Sequence, residues 1–246
     1  MLDDVVDALR CPVCAGPLSR HSRVLRCPAG HSYDIARQGH VTLLAGQTAS
    51  GDTAAMVAAR EAFLGSGHYD WLADAITAVA AELMGFGRIS RGFAERVVDA
   101  GAGTGFYLAH VLERIGGRTR GIAVDSSGHS LRRAARAHPR IGAIGADLWR
   151  PLPIADGAAG LVLNIFAPRN GEEFHRILSP GGRLLTVTPT RRHLAALVER
   201  LDLLSVDEDK ERKLADTLGA CFHLQRRERR DHTMTLDHEA VAALVG

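Results

Sequence analysis

The sequence predicts an α/β fold, in which a doubly wound parallel sheet follows a small cysteine-rich N-terminal domain. Two observations predict the sheet: from residue 94 onward short apolar runs alternate with helical stretches, and a glycine-rich turn follows the first of these runs. A third observation predicts the small domain, because three of the four cysteines lie within the first 27 residues. The chain of 246 residues, 46% of them hydrophobic, is long enough for one large core and such an appendage.

Composition and charge exclude several classes of protein. No run of about 18 apolar residues is present, and the N-terminal segment Met1–Asp4 is acidic where a signal peptide would be basic. We therefore expect a soluble, cytoplasmic protein that does not enter a membrane. The formal net charge is only +2, and 28 of the 30 basic residues are arginine, so any nucleic-acid partner would have to be held by local patches.

Residues 1–45 are predicted to form a zinc-binding module. Cys11 and Cys14 form one close pair of candidate ligands, Cys27 and His31 form a second pair, and twelve residues separate the two. Each tight turn supplies two ligands to a tetrahedral Zn²⁺, and a hairpin between them brings the turns together. A redox dithiol at Cys11 and Cys14 is the weaker alternative, because no βαβ pattern surrounds it.

Basic residues in this module predict a surface that docks RNA. Between Arg10 and His40 five arginines stand against one aspartate, and we take Arg20, Arg23 and Arg26 as candidate RNA-binding residues. The same excess of charge is typical of a solvated protein face, and the sequence leaves both interpretations open.

Residues 46–93 are predicted to contain a linker and two helices. The stretch 47–53 is small and polar, and apolar positions then recur at helical spacing from Ala54 to Met84, with a break at 65–67. Asp52 or Thr53 is placed to cap the first of these helices.

Residues 94–246 are predicted to form the sheet domain. We predict its strands over 97–98, 121–124, 141–144, 161–165 and 184–187, and its helices over 106–115, 129–137, 171–178, 192–204 and 237–244. A sixth, edge-like strand is predicted over 221–234.

The glycine-rich turn predicts a cofactor. Asp99 ends the first strand, and Gly101, Gly103 and Gly105 follow it at alternate positions, where they let the backbone come close to a ligand. A dinucleotide fingerprint would need glycine at position 106, where this chain has phenylalanine. The turn therefore fits the D-x-G-x-G-x-G pattern of S-adenosylmethionine enzymes better.

Two further acidic residues support this cofactor. Asp125 ends the second strand twenty residues after the last glycine, where its carboxylate would accept the ribose hydroxyls of an adenosine. Asp147 follows the third strand and is the expected contact for the adenine edge.

The loop after the fourth strand is predicted to receive the substrate at the carboxyl end of the sheet. We take Asn164, Phe166 and Pro168 as catalytic candidates, with Asn164 and the loop backbone orienting a base edge. Phe166 would stack on a base, and packing beneath the loop is its structural alternative. The arginines that border the same mouth are candidate ligands of RNA phosphates: Arg169, Arg191 and Arg192.

Three segments together carry a resemblance to a known family: CPVC followed by CPAGH, then GDTAAMVAAREAFLGSGHYDWLADAI, then VVDAGAGTGFY with NIFAPRN and TPTRRHL. Over nearly the whole chain they resemble the bacterial 23S ribosomal RNA guanine-N1 methyltransferases, including the macrolide-resistance (tylosin and mycinamicin type) branch of antibiotic-producing actinomycetes. The resemblance implies a class I, Rossmann-like methyltransferase sheet with a zinc-ribbon-like N-terminal domain. It implies zinc on Cys11, Cys14, Cys27 and His31, and S-adenosylmethionine contacts from Tyr69, Gly103, Thr104 and His193.

The resemblance also implies an activity, which is methylation of guanine N1 in a domain II hairpin loop of 23S ribosomal RNA. It leaves open whether the purpose is macrolide resistance or housekeeping. The rival that the residues leave open is a small-molecule methyltransferase of secondary metabolism, which explains the glycine turn and leaves the zinc module unexplained. Family members have a final strand after the helix that corresponds to 237–244, and this chain is expected to lack it. Homodimerisation is left open.

Overall fold

The computed structural model describes residues 2–44, 52–87, 94–201 and 216–245, with the N-terminal domain packed on one face of the main sheet. In chain order, three short antiparallel strands of the N-terminal domain are β1 (Ser19–His21), β2 (Val24–Arg26) and β3 (Ser32–Asp34). The strands of the main sheet are β4 (Val41–Thr42), β5 (Arg96–Ala100), β6 (Arg120–Asp125), β7 (Ile141–Gly145), β8 (Ala159–Ile165) and β9 (Leu178–Val187).

All neighbouring strands of the main sheet are parallel, and their order is β4-β7-β6-β5-β8-β9. The order reverses between β5 and β8, because β6 and β7 lie on one side of β5 while β8 and β9 lie on the other. Open α/β sheets bind ligands outside the carboxyl ends of the strands at such a switch point. The predicted doubly wound parallel sheet is therefore confirmed, and the candidate residues that follow β5, β6, β7 and β8 meet at one edge.

The helices largely follow the predicted ranges. Thr53 caps the first helix as predicted, since its side chain accepts the Met56 N–H at 3.2 Å. The helix predicted over 192–204 begins later, and 202–204 lie outside the described residues, as do residues 47–51 of the predicted linker. In the described ranges no helix combines the length and apolar character that crossing a bilayer requires. The helices are α1 (Ala54–Gly65), α2 (Asp70–Gly87), α3 (Phe106–Ile115), α4 (Gly128–Ala137), α5 (Gly171–Ile177), α6 (Ala195–Leu201) and α7 (His238–Val245).

Two apolar cores cover the two faces of the sheet. Successive strand residues point to opposite faces, so Val97 of β5 packs with side chains from α1 to α4 and α7, while Val98 packs with the N-terminal domain and α5. The central strands are accordingly apolar at almost every position, as expected for parallel strands buried on both faces.

The N-terminal domain shares the core of the sheet. Two short 3-10 turns, Leu2–Asp4 and Val6–Ala8, precede the first cysteine, and Val5 and Leu9 beside them are fully buried. The apolar side chains of this domain are covered by residues far along the chain, so sequence spacing does not reveal the shared core.

Close contacts join the domain to β7. A Cβ atom at Gly142 would overlap the Val5 side chain, so glycine at this position lets the N-terminal segment lie directly on the sheet. Val41 of β4 pairs with Ile144 of β7, which places the end of the domain in the main sheet itself.

Residues 221–234 form no strand in the structure, so the predicted sixth strand is wrong. Leu224 is 80% exposed, and the following residues, 225–230, are polar or charged with no apolar alternation. The charged side chains pair instead with helix α2 and with one another, as shown by Arg226 at 3.0 Å from Glu82 and Arg230 at 2.9 Å from Glu228.

Candidate active site and zinc centre

The four predicted metal ligands converge in the N-terminal domain. Cys11 and Cys14 lie before β1, and Cys27 and His31 lie between β2 and β3. Their ligand atoms all lie within 4.8 Å of one another. Three thiols and one imidazole suit tetrahedral Zn²⁺, and a site in which the protein supplies all four ligands is structural. The predicted Cys₃His zinc site is confirmed.

Hydrogen bonds favour the metal-binding form of Cys11. The Tyr33 hydroxyl lies 3.1 Å from the Cys11 sulfur. Burial raises the pKa of the Cys11 thiol, but hydrogen bonds from Tyr33 and from backbone N–H groups outweigh this effect and lower the pKa to about 6. The thiolate is the form that binds zinc, so these surroundings favour coordination.

The turn after β5 needs its three glycines. Gly101, Gly103 and Gly105 have φ angles of 89°, 54° and 81°, in the left-handed region that favours glycine. At Gly105 a Cβ atom would also come within 3.0 Å of the Ala134 Cα atom. The turn leads directly into α3, whose first backbone N–H groups have no partner within the helix and suit an anionic ligand group.

Asp125 at the end of β6 shapes this turn from the neighbouring strand. One carboxylate oxygen accepts the Gly103 N–H at 2.8 Å, and the other accepts the Ser127 N–H at 2.8 Å. Burial raises the pKa of Asp125, and these hydrogen bonds partly offset the rise. Because each oxygen has a second lone pair, the carboxylate keeps acceptor capacity for ribose hydroxyls.

Asp99 at the end of β5 is almost completely buried, with 1% of its surface exposed. Burial and the nearby charge of Asp125 raise the pKa of Asp99 to about 7. Its Oδ1 atom has no hydrogen-bond partner among the described residues. Two neighbouring carboxylates with raised pKa values favour a positively charged ligand, which would stabilise both in the ionised form.

These groups fit S-adenosylmethionine. The sulfonium and the ammonium of that cofactor are cationic, and the Asn164 Oδ1 atom is a second buried acceptor that lacks a donor within the described ranges. A dinucleotide would bring a pyrophosphate, which the two carboxylates would repel. The cofactor class predicted from the glycine turn therefore agrees with the electrostatics of the site.

Arg60 of α1 lies over the glycine turn and is not among the residues predicted from the sequence. Its Cδ atom lies 3.9 Å from the position that a Cβ atom would take at Gly103. Its positive charge lowers the pKa of Asp125 and so offsets part of the effect of burial. The guanidinium forms an ion pair with Asp52. Arg60 and the turn lie far apart in the chain, so motif spacing carries no signal for this contact.

Asp147 lies beside Asp125 at the same edge, since the Ala146 N–H donates to the Asp125 carbonyl at 3.1 Å. Its carboxylate accepts the backbone N–H of Trp149 at 3.0 Å and lies 3.7 Å from the Arg150 Nε atom. The carboxylate is thus placed at the expected end of the sheet, and its contact with adenine stays a prediction.

Tyr69 and Thr104, which the resemblance implies as cofactor contacts, are both buried. The Tyr69 ring makes an edge contact with Phe63 at 5.2 Å between centroids, and burial raises the pKa of its hydroxyl. Burial and the charges of Tyr69 and Asp99 raise the pKa of Tyr107, so these three groups lie near one another.

The loop that follows β8 is fixed by Asn164. The two N–H groups of its carboxamide donate to the Ala100 carbonyl at 3.1 Å and to the Pro168 carbonyl at 2.9 Å, and the side chain is fully buried. Asn164 therefore joins the end of β5 to the loop. Phe166 at the loop tip is 41% exposed with a φ of 53°, and its ring lies 5.7 Å from the His193 ring.

The candidate RNA-binding arginines fall into two groups, the first near the substrate loop and the second in the N-terminal domain. Arg191 and Arg192 are exposed, whereas Arg169 is half-buried, its pKa is lowered by burial, and its Nε atom has no partner among the described residues. In the N-terminal domain Arg20 pairs with Asp3, and the β1–β2 register points Arg20 and Arg26 to opposite faces of the hairpin. The structure therefore does not bring the second group, Arg20, Arg23 and Arg26, into one cluster.

Two protein families match this chain. The N-terminal domain of RlmA, described as a zinc ribbon, matches residues 9–50, and a methyltransferase domain matches residues 97–182. The first match contains all four zinc ligands. The second contains the glycine turn, both carboxylates at the ends of β5 and β6, and the loop after β8.

Two curated relatives match the chain over its whole length, and a third matches 76% of it. A Streptomyces fradiae protein named 23S rRNA (guanine(748)-N(1))-methyltransferase is 48% identical over 246 residues, which is 100% of this chain and 86% of the relative. A Micromonospora griseorubida protein, provisionally named a 23S rRNA (guanine-N(1)-)-methyltransferase, is 48% identical over 100% of this chain and 87% of its own. The Bacillus subtilis protein YxjB, provisionally given the same name, is 32% identical over 76% of this chain and 66% of its own. With its glycine turn, paired carboxylates and zinc ribbon, the chain belongs to the family of 23S rRNA guanine-N1 methyltransferases.

Proposed function

We propose that this protein transfers a methyl group from S-adenosylmethionine to N1 of a guanine in 23S ribosomal RNA, at the position equivalent to guanine 748. The observation that carries the proposal is the 48% identity over the whole chain to the Streptomyces fradiae enzyme whose name states that base and atom. The site supports it, because its electrostatics suit a cationic cofactor and a substrate loop with an exposed aromatic ring lies beside it.

The residues at the carboxyl edge of the sheet contact different parts of the cofactor. S-adenosylmethionine supplies an activated methyl group when bound. Asp125 and Asp147 hold the ribose and the adenine edge, and Asp99 accepts from the ammonium group. Arg60 and the first N–H groups of α3 hold the carboxylate, with the remaining contacts made by Gly101, Gly103, Thr104, Gly105, Tyr69 and His193.

The substrate loop orients the target base. Guanine N1 carries a proton on the Watson–Crick edge, so the base must be unpaired, and a hairpin-loop guanine meets that need at little cost. Phe166 stacks on the base, while the backbone as far as Pro168 aligns its edge. Asn164 is a positioning residue, because its buried side chain sets the shape of the loop. The N1 proton passes to water.

The two domains have different proposed roles. We assign RNA docking to the module of residues 1–45, where Arg20, Arg23 and Arg26 lie on the surface as separate contacts and not as one cluster. Methyl transfer is assigned to residues 94–246, joined to the module through 46–93. Arg169, Arg191 and Arg192 hold phosphates at the mouth of the site. A ribosomal RNA substrate places this work in the cytoplasm, and macrolide resistance is its proposed purpose.

A labelling experiment tests the reaction. The protein is incubated with S-adenosylmethionine carrying a labelled methyl group, together with 23S RNA in one sample and a total metabolite extract in another. We expect label in the RNA and a reverse-transcription stop at guanine 748, because an N1 methyl group blocks Watson–Crick pairing. RNA with adenine at that position is the control and should stay unlabelled. Label only in the metabolite sample would establish the small-molecule alternative instead.

A further inference from the structure

An exposed tryptophan lies beside the substrate loop, and the proposed chemistry does not use it. Trp149, one of two tryptophans in the chain, follows β7 and is 70% exposed. An indole in water leaves a large apolar surface uncovered, whereas a ligand that stacks on it would remove that surface from water.

The tryptophan is held in place by its own loop. The backbone N–H of Trp149 donates to the Asp147 carboxylate at 3.0 Å, and the backbone N–H of Arg150 donates to the Asp147 carbonyl at 3.1 Å. The Asn170 side chain donates to the Leu148 carbonyl at 3.1 Å, which ties this loop to the substrate loop. An aromatic ring on a fixed backbone loses little freedom when a ligand binds, so the loop is pre-organised for contact.

The surroundings of Trp149 match an anionic, base-containing partner. Phe166 on the adjoining loop is also exposed, and its φ of 53° is strained for an aromatic residue, a feature that clusters at functional sites. The three neighbouring loops, 147–150, 164–170 and 188–194, together carry four arginines against one aspartate. Aromatic rings interleaved with positive charge are typical of surfaces that bind single-stranded nucleic acid.

We propose that Trp149 is a stacking platform for an unpaired RNA base that flanks the methylated guanine. The inference rests on the proposed function and adds a second aromatic contact to that of Phe166. Stacking accepts any base but requires that the base be unpaired, so Trp149 would select a hairpin loop over a duplex. The local positive charge favours this occupant over a second copy of the chain, which would bring the same charge to the contact.

Binding measurements test the platform. The probe is a synthetic RNA hairpin with the 23S loop that contains guanine 748, and a matched hairpin has abasic sites in place of the bases that flank this guanine. We expect Trp149→Ala to weaken binding of the first hairpin about 5- to 100-fold and Trp149→Phe to retain most of the affinity. On the abasic hairpin the wild type and Trp149→Ala should bind equally. Equal affinity of these two proteins for the intact hairpin would overturn the proposal.

Fluorescence reports the contact directly. In a Trp71→Phe background Trp149 is the sole tryptophan, and stacking should quench its emission with the intact hairpin but not with the abasic one. An emission change that follows protein concentration without RNA would instead place Trp149 at a protein–protein contact and reject the proposal. Methylation of the intact hairpin by the wild type is measured separately. Methylation without quenching would reject the role of Trp149 and leave the proposed function standing. A hairpin that binds but is never methylated at guanine would reject the proposed function.

Discussion

The carboxylates of Asp99 and Asp125 lie in a site whose proposed ligand is positively charged. Without that ligand burial disfavours the ionised form of both groups, and the charge of Asp125 adds to the effect on Asp99. A bound cation would lower the free-energy cost of ionising these two carboxyl groups. The two residues therefore destabilise the free protein and strengthen binding of the ligand. Arg60, in contrast, already has a partner in the free protein. Its ion pair with Asp52 competes with binding of an anionic group of the ligand.

Asp99→Asn should stabilise the ligand-free protein in a pH-dependent way. The ordinary pKa of this carboxyl is 3.8, and burial raises the pKa to about 7 in the folded chain. Between these two values the folded state therefore holds a proton that the unfolded state has released. Wild-type stability therefore falls as pH rises through this window. We expect the advantage of the variant to grow by about 2 kcal/mol between pH 5.5 and pH 8.5, measured by urea unfolding. Identical pH profiles for the two proteins would contradict the burial argument.

Arg60→Gln should weaken cofactor binding selectively. S-adenosylhomocysteine has the carboxylate that Arg60 is proposed to hold, and 5′-methylthioadenosine lacks it. Loss of a charge-assisted hydrogen bond should lower affinity for the first ligand about 10- to 100-fold and leave the second unchanged, as measured by calorimetry.

Asp52→Asn is the matched control for Arg60, because it breaks the same ion pair and keeps the guanidinium. It should bind S-adenosylhomocysteine at least as well as the wild type. Equal losses for both ligands in Arg60→Gln would show that Arg60 only holds α1 in place.

At the scale of elements, the sequence predicts those strands and sites that depend on residues close together in the chain. The strands β5 to β9 and the glycine turn follow from apolar periodicity and spacing, and so do the zinc ligands, because each depends on residues close in sequence. Strand β4 has two residues and exists through its pairing with β7, so no periodicity marks it. Arg60 and Trp149 join the site through contacts between distant segments, so no sequence motif marks them. The strand predicted over 221–234 does not form, because residues 225–230 are polar or charged and have no apolar alternation.

Gly142→Ala should destabilise the contact between β7 and the N-terminal segment. The added methyl group would overlap Val5, and overpacking of this kind costs about 1 to 3 kcal/mol. Gly128→Ala is the control, since no atom lies within 4 Å of a Cβ at that position. Urea unfolding should show a loss for the first variant and a change within about 0.5 kcal/mol for the second. Adding Val5→Ala to Gly142→Ala should restore part of the loss, and an unrelieved double mutant would contradict the contact.

At the scale of the whole molecule, the zinc domain and the sheet share one apolar core. Side chains from the first 43 residues pack with those of β5, β6, β7 and α5 in a single cluster. A metal ion that orders the N-terminal domain therefore also keeps one face of the sheet covered. The protein should consequently unfold as one unit, although its sequence divides into two parts.

Cys14→Ser should lose zinc and lower the melting temperature of the sheet together. Removing one ligand opens the site, and the freed N-terminal segment no longer packs on β7. Elemental analysis measures the metal, and circular dichroism measures the melting. Val13→Ser, an exposed neighbour between two ligands, is the control and should change neither. A variant without zinc that melts like the wild type would separate the two domains energetically.

The position of Gly142 beneath Val5 also has a consequence for synthesis. The ribosome makes the N-terminal segment first, but the strand that covers it, β7 (Ile141–Gly145), emerges only after more than half of the chain has been translated. The cysteine turns are complete much earlier and need only a metal ion to close, because their ligands lie within the first 31 residues. Zinc would thus hold the nascent module in shape while its apolar face waits for the sheet, and a shortage of the metal during translation would leave that face open to aggregation.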